Sequence, residues 1–133
     1  MVKKYLLDTG VLIDLYRGDE RANILKGIEI PECEICSVVT AEFFQGVYRG
    51  KYGRSEESWY KSFIEIGNMS VISFDEKIAK TYALIQSKHY KKGMTRPIMD
   101  LIIAATAIEK NLILVTNNLK HFEMIEGLRT YKK

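Results

Sequence analysis

Cysteine and proline are scarce in this chain, which has only two of each among its 133 residues. Two cysteines, Cys33 and Cys36, are too few for the disulfide framework of a small secreted protein. No apolar run approaches the roughly 18 residues that a membrane-spanning helix needs, and the short apolar stretch between Lys4 and Asp8 is no secretory signal. We therefore expect a cytoplasmic protein with reduced thiols and no membrane partner.

A strong charge bias is also absent, because 20 Lys and Arg residues stand against 17 Asp and Glu residues, a formal net charge of +3. The composition, 47% hydrophobic and 28% charged, lies outside the range of disordered and low-complexity chains. A chain of this length suits one domain with a packed core. We therefore predict a single domain over residues 1–133.

Positive charge is nevertheless concentrated in two acid-free stretches that also contain tyrosines. Cations that pair with phosphates, interleaved with rings that stack on bases, are typical of a surface that binds single-stranded nucleic acid. Solvated loops and helix ends often have the same composition. The candidate RNA contacts in the two stretches are Arg49, Lys51, Arg54, Lys91, Lys92 and Arg96.

The order of apolar runs predicts strands that alternate with helices. Strands are predicted at 5–7, 35–38, 71–74 and 112–116, with an edge strand at 128–131. Helices are predicted at 11–16, 22–26, 40–49, 56–66, 75–92 and 98–110, with Thr40 and Asp75 as N-caps. Continuous apolar strands are typical of parallel sheets that are covered on both faces. We therefore predict an α/β domain with a mainly parallel central sheet flanked by helices.

Acidic residues follow the predicted strands at the edge where such sheets bind ligands. Asp8 ends the first strand, Glu42 lies just after the second, and Asn118 follows the strand at 112–116. Asp100 lies in a helix that is otherwise almost wholly apolar, so its carboxylate needs a partner there. Clustered carboxylates favour a hard cation such as Mg²⁺ or Mn²⁺, and such a site beside basic loops suits phosphodiester hydrolysis.

Each acid also has a purely structural explanation. Asp8 could cap the helix that follows it, and Glu42 could be a first-turn acid on a solvated helix face. Asp100 could pair with Arg96, one turn earlier.

Four blocks of sequence resemble the PIN-domain ribonucleases, particularly the VapC-type toxins of bacterial and archaeal toxin–antitoxin pairs. The blocks are DTGVLIDLYRGD at 8–19, TAE at 40–42, RPIMDLIIAATA at 96–107 and LVTNNLKHF at 114–122. They occur in the family's order and span nearly the whole chain. The resemblance implies a PIN fold and an Mg²⁺- or Mn²⁺-dependent endoribonuclease that is neutralised by a small VapB-like antitoxin.

The resemblance also assigns expected roles to individual residues. It makes Asp8, Glu42 and Asp100 the metal ligands and catalytic acids, and puts Asn118 where many members have a fourth acid. An amide is a weaker metal ligand than a carboxylate, which favours a path with one metal ion. Thr9, Thr116 and Asn117 are expected to support the site from beside it.

Two further expectations follow from the family. Members are often homodimers, and the candidate surface here is formed by the helices around 40–49 and 59–66. The alternative functions are a PIN-like module that binds RNA or protein without cutting it, and a nuclease of RNA maturation.

Overall fold

The computed structural model describes residues 1–50 and 54–132. Three short strands form its central sheet: β1 (Tyr5–Leu7), β2 (Cys33–Glu34) and β3 (Ile113–Val115). The sheet order is β2-β1-β3 and both pairings are parallel, with Tyr5 opposite Cys33 on one side and Ile113 on the other. Because the strands are parallel, their carboxyl ends lie at one edge, where Asp8 and Thr116 follow β1 and β3.

Helices separate and cover these strands, which confirms the predicted α/β class. The α-helices are α1 (Thr9–Arg17), α2 (Ser37–Arg49), α3 (Arg54–Ile66), α4 (Glu76–Lys91) and α5 (Ile98–Glu109). Short 3-10 helices occur at Glu20–Leu25, Ile30–Glu32 and Leu119–Phe122. Within the described ranges, none of the helices combines the length and the apolar character that crossing a membrane requires.

The prediction of a strand at 35–38 is wrong, because β2 ends at Glu34 and α2 begins at Ser37. Cys36 is the N-cap of α2, and its carbonyl accepts from the amides of Val39 and Thr40 at 3.0 and 3.2 Å. Thr40 is therefore not the N-cap, and Glu42 lies in the second turn of the helix. An apolar run indicates only that a segment is buried. The first turn of a helix that packs on the core is as buried as a strand, so the run does not distinguish the two.

The two other predicted strands are reduced to single bridges. Ile72 pairs only with Cys36, through hydrogen bonds of 2.8 and 3.0 Å to Ser37 and Ile35. In the C-terminal tail, Thr130 forms a bridge with Leu114. Both segments run alongside the sheet without extending its ladders.

The position of α5 matters most for the candidate site. This helix packs against α4, and its Ile103, Ala104, Ala105 and Ala107 side chains are fully buried. The alanines leave little bulk on the buried face, so the helix can approach its neighbours closely. Asp100, in the first turn of α5, is thereby placed within electrostatic range of Asp8 at the end of β1.

An aromatic layer joins α2 and α3. Phe43 of α2 stacks with Tyr60 of α3 at a centroid distance of 5.9 Å, and Trp59 stacks with Phe63 at 5.1 Å. Tyr16 of α1 meets Trp59 edge-on at 5.3 Å. These rings occupy the inner face of α3. The predicted dimer surface can therefore use only the outward faces of α2 and α3.

Candidate active site

Asp8 occupies the junction between β1 and α1 and is almost fully buried. One carboxylate oxygen accepts from the Thr9 amide at 2.9 Å, so Asp8 does cap α1. The other oxygen accepts from the Thr116 hydroxyl at 2.7 Å. Burial raises the pKa of Asp8, and the hydrogen bonds from Thr116 and Thr9 offset part of that rise. The cap and the candidate ligand are therefore the same carboxylate.

Thr116 links the loop after β3 to the end of β1. It is fully buried, and its hydroxyl donates to Asp8 while accepting from the backbone amide of Asn118 at 2.9 Å. This chain of hydrogen bonds holds the loop after β3 against the end of β1. Thr116 thus contacts a predicted metal ligand directly, in the position expected of a supporting residue.

Glu42 is held from the other side by Thr9. The Thr9 hydroxyl donates to a Glu42 carboxylate oxygen at 2.5 Å, joining the start of α1 to the second turn of α2. A hydrogen bond to a carboxylate is charge-assisted and fixes its orientation. The two predicted hydroxyl residues, Thr9 and Thr116, therefore each hold one of the predicted acids.

Asp100 is the least satisfied of the three acids. His121 Nδ1 lies 3.1 Å from Asp100 Oδ2, which is close enough for an ion pair when the imidazole is protonated. Apart from this imidazole, no described residue supplies a hydrogen bond to the buried Oδ2 atom. Burial first, and then the negative charge of Asp8, raises the pKa of Asp100, while His121 acts in the opposite direction and Glu42 adds to the rise. The electrostatics thus connect all three acids.

The three acids do not form a preassembled metal-binding site. Among residues 1–50 and 54–132, no three His, Cys, Asp or Glu side chains stand close enough together to ligate one ion. Their contacts account for the separation of the carboxylates, because Glu42 is hydrogen-bonded to Thr9 and Asp100 faces His121. Carboxylates that repel one another also keep apart unless a cation lies between them.

An open cleft of about 300 Å³ adjoins Asp8. Its walls include the predicted Asn117 and Asn118, together with three charged residues that the sequence reasoning did not single out. These are Asp14, Arg17 and Arg21. Asp14 and Arg17 lie in the block at 8–19 and Arg21 lies two residues beyond it, but nothing in the sequence distinguishes an arginine that lines a cleft from one on a solvated surface. A cavity of about 410 Å³ near Lys3 and Glu34 lies at the opposite edge of the sheet, away from these acids.

The predicted RNA-contacting cations that the structure describes do not line this cleft. Arg49 is exposed at the end of α2, and Lys91 and Lys92 are exposed at the end of α4. Arg96 is half-buried, and its guanidinium donates to the backbone carbonyls of Lys120 and Glu123, the latter at 2.9 Å. Arg96 thus pins the segment that carries His121. Lys51 and the side chain of Arg54 lie outside the described structure.

Comparison with known proteins places this geometry in a family. The PIN-domain family model matches residues 5–127. Ribonuclease VapC1 of Methanocaldococcus jannaschii is 37% identical over 133 residues, covering 98% of this chain and 88% of that protein. Ribonuclease VapC2 of Haemophilus influenzae is 29% identical, with 96% of each chain covered. The chain therefore belongs to the PIN-domain family.

A solved structure supports the same fold. VapBC2 from Rickettsia felis, bound to a DNA fragment from its promoter, contains a chain that superposes with a TM-score of 0.81 at 29% identity. The alignment covers 98% of each chain. The relatives that this chain resembles within the PIN family are thus VapC ribonucleases.

Proposed function

We propose that this chain is a metal-dependent endoribonuclease that hydrolyses RNA phosphodiester bonds and serves as the toxin of a type II toxin–antitoxin pair. The observation that carries the proposal is the pair of carboxylates at the carboxyl edge of a parallel sheet, Asp8 buried and Asp100 half-buried, each with its pKa raised. Acids whose pKa values are raised by burial and by one another's charge are common at catalytic sites, where the residues are kept for function rather than for stability. The relatives named as VapC ribonucleases supply the reaction class.

The acids fit a divalent cation in their chemistry. PIN-domain nucleases are in general dependent on divalent metals. Asp100 Oδ2 is a buried oxygen whose one polar neighbour among the described residues is His121 Nδ1, and the nearby acids Asp8 and Glu42 carry the same charge as Asp100. A cation would satisfy the oxygen and remove the repulsion. We assign Asp8 and Asp100 as ligands of one Mg²⁺ or Mn²⁺, with Glu42 binding directly or through water.

When bound, the ion would supply Lewis-acid catalysis of phosphodiester hydrolysis. The chain's own residues prepare the site for it. The Thr116 hydroxyl keeps Asp8 oriented, the Thr9 hydroxyl keeps Glu42 oriented, and the Asn118 amide anchors Thr116. Asn117 and Asn118 line the cleft in which the RNA strand would lie. The burial of Asp8 and of the Oδ2 atom of Asp100 limits the access of water to these oxygens and strengthens the charge interactions there.

The proposed partners follow from the same relatives. A neighbouring structure pairs VapC with VapB, and we propose a VapB-like antitoxin as the partner that neutralises this chain. We also propose a homodimer that uses the outward faces of α2 and α3. A nuclease that acts on cellular RNA would work in the cytoplasm.

The test is cleavage of a mixed pool of single-stranded and structured RNA with Mg²⁺, Mn²⁺ or EDTA, comparing the wild-type chain with Asp100→Asn. We expect metal-dependent cutting by the wild type and none by the variant, because the variant lacks a ligand and keeps the fold. Equal cutting by both would contradict the assignment. Binding of RNA by both without cutting would favour a non-catalytic module.

The chemistry of the product ends tests the mechanism separately. In-line attack by water leaves a 5′-phosphate and a 3′-hydroxyl. A 2′,3′-cyclic phosphate would mean that the RNA's own 2′-hydroxyl attacks, and would contradict hydrolysis at this site.

A further inference from the structure

Arg21 is a charged residue that lines the same cleft as Asp8. Its side chain remains 65% exposed although one edge of its guanidinium is held firmly. Nε and Nη2 each lie 3.2 Å from an oxygen of Asp19, and Nη2 lies 3.3 Å from Asp14 Oδ1. No described residue accepts a hydrogen bond from Nη1. The guanidinium is therefore fixed on one side and has donors left on the other.

The backbone of Arg21 is fixed as well. Its carbonyl accepts from Asn117 Nδ2 at 3.0 Å, across the cleft from the loop after β3. Its amide donates to Asp19 Oδ1 at 2.9 Å, at the start of the 3-10 helix that follows α1. Three segments thus determine where this arginine lies, which lowers the entropic cost of using it to bind a ligand.

Neutralising Asp14 does not by itself explain this arrangement. Asp14 is buried and needs a cation, but one contact from Nη2 meets that need. The second aspartate, Asp19, also interacts with Arg17, so Arg21 is not the only cation that it has. An RNA phosphate that approaches the acids at Asp8 is repelled by them and needs such cations. Of the cations predicted from the sequence to contact RNA, those that the structure describes do not line the cleft, and Arg96 binds backbone carbonyls instead.

We propose that Arg21 contacts a phosphate of the RNA strand beside the cleaved bond, with Asp14, Asp19 and Asn117 as the residues that position it. The guanidinium is planar and offers paired N–H donors, the geometry that matches phosphate oxygens. This inference rests on the proposed ribonuclease function, since it names how the same cleft holds its substrate.

The experiment measures binding of a single-stranded RNA oligonucleotide in EDTA over a range of KCl concentrations. The central variant is Arg21→Gln combined with Asp14→Asn, which leaves no buried charge unpaired and keeps the net charge unchanged. Losing one phosphate contact should make the slope of log K against log[salt] shallower by about 0.7. The control is Arg129→Gln, because Arg129 contacts Asn111 at the opposite edge of the sheet. Its slope should match the wild type.

A second variant separates phosphate positioning from simple charge. Arg21→Lys keeps the cation but loses the planar fork, so RNA affinity and its salt slope should be retained. Cleavage at saturating RNA in Mg²⁺ should nevertheless slow roughly tenfold or more, because the reacting phosphate is misplaced. A role limited to neutralising Asp14 would leave that rate unchanged and would overturn the proposal.

The outcomes distinguish this inference from the function on which it rests. A wild-type slope in the double variant, or an equal loss in Arg129→Gln, overturns the role of Arg21 even if the wild type cuts RNA. A shallower slope in a chain that never cuts RNA overturns the nuclease proposal and leaves the phosphate contact standing. Failure of the wild type to bind RNA at all overturns both.

Discussion

Asp100 is held in the folded chain with its carboxylate half-buried beside other negative charges, and this arrangement opposes stability. Burial and the charge of Asp8 raise its pKa, so the folded chain holds this proton more tightly than the unfolded chain does. Between the two pKa values the folded state binds more protons, and stability therefore falls as the pH rises through that interval. Above it the full destabilisation is present.

Asp100→Asn should therefore stabilise the protein in EDTA. We expect a gain of about 0.5–2 kcal/mol in the free energy of unfolding near neutral pH, because the variant removes a half-buried charge from a group of carboxylates that repel one another. The gain should shrink as the pH falls and the wild-type carboxyl becomes protonated. Urea unfolding of both proteins at acid and neutral pH measures it. A variant less stable than the wild type at neutral pH would contradict this account of Asp100.

Thr116 provides a second test at the scale of one residue. Thr116→Val should cost about 1–3 kcal/mol, because it leaves Asp8 Oδ2 and the Asn118 amide without their partner. Thr106→Val is the matched control. Thr106 is equally buried, but its hydroxyl donates to the Ile102 carbonyl within α5 and otherwise contacts the Cys36 thiol, a weak hydrogen-bonding group, so its removal strands no strong donor. Urea unfolding that shows equal losses for both variants would mean that the Thr116 bonds contribute nothing specific.

At the scale of elements, helix α4 illustrates what the sequence could predict. Asp75 precedes its apolar pattern, and in the structure Asp75 Oδ1 accepts from the Ile78 amide at 2.9 Å, as expected for an N-cap. Thr40, which looked equally suitable, lies inside α2, and its hydroxyl bonds to Tyr60 at 2.7 Å. The two residues differ in tertiary contacts, which no local pattern contains.

The cap of α4 can be tested directly. Asp75→Ala should cost about 1 kcal/mol of stability, the typical value of an N-cap aspartate. Glu76→Ala is the control, because Glu76 is exposed and its one ion pair among the described residues is with Lys80 at 3.7 Å, so its loss should cost no more than about 0.5 kcal/mol. Thermal unfolding of the two variants compares them. Equal costs would contradict the role of Asp75 as a cap.

At the scale of the whole molecule, the sequence predicted which residues meet at the carboxyl edge of the parallel sheet. It did not predict the rest of the site's geometry. Parallel strands put Asp8 and Thr116 at one edge although 108 positions separate them in the chain, and their side chains are in contact. The partners of Asp100 and the arginines of the cleft were not predictable in this way. His121 and Arg21 lie on 3-10 segments whose paths depend on packing rather than on apolar periodicity.

The two cysteines test the integrity of the whole core. Cys33 and Cys36 have the C-x-x-C spacing of redox motifs, yet both are free, buried thiols. Burial raises the pKa of Cys33 to about 12 and also raises that of Cys36. Neither thiol should react with iodoacetamide in the native protein, and both should react in urea, because labelling requires global opening. Rapid native labelling, followed by mass spectrometry, would contradict this core.

The central claim is that a divalent cation relieves the repulsion among the acids at Asp8 and Asp100. The most direct measurement is thermal unfolding of the wild type, Asp100→Asn and the control Asp75→Asn, with and without Mg²⁺ or Mn²⁺. An ion at one hundred times its Kd stabilises by about 2.7 kcal/mol, so the wild type and Asp75→Asn should shift upward by several degrees. Asp100→Asn should start higher without metal and shift little. An equal shift in Asp100→Asn, or none in the wild type, would contradict the account.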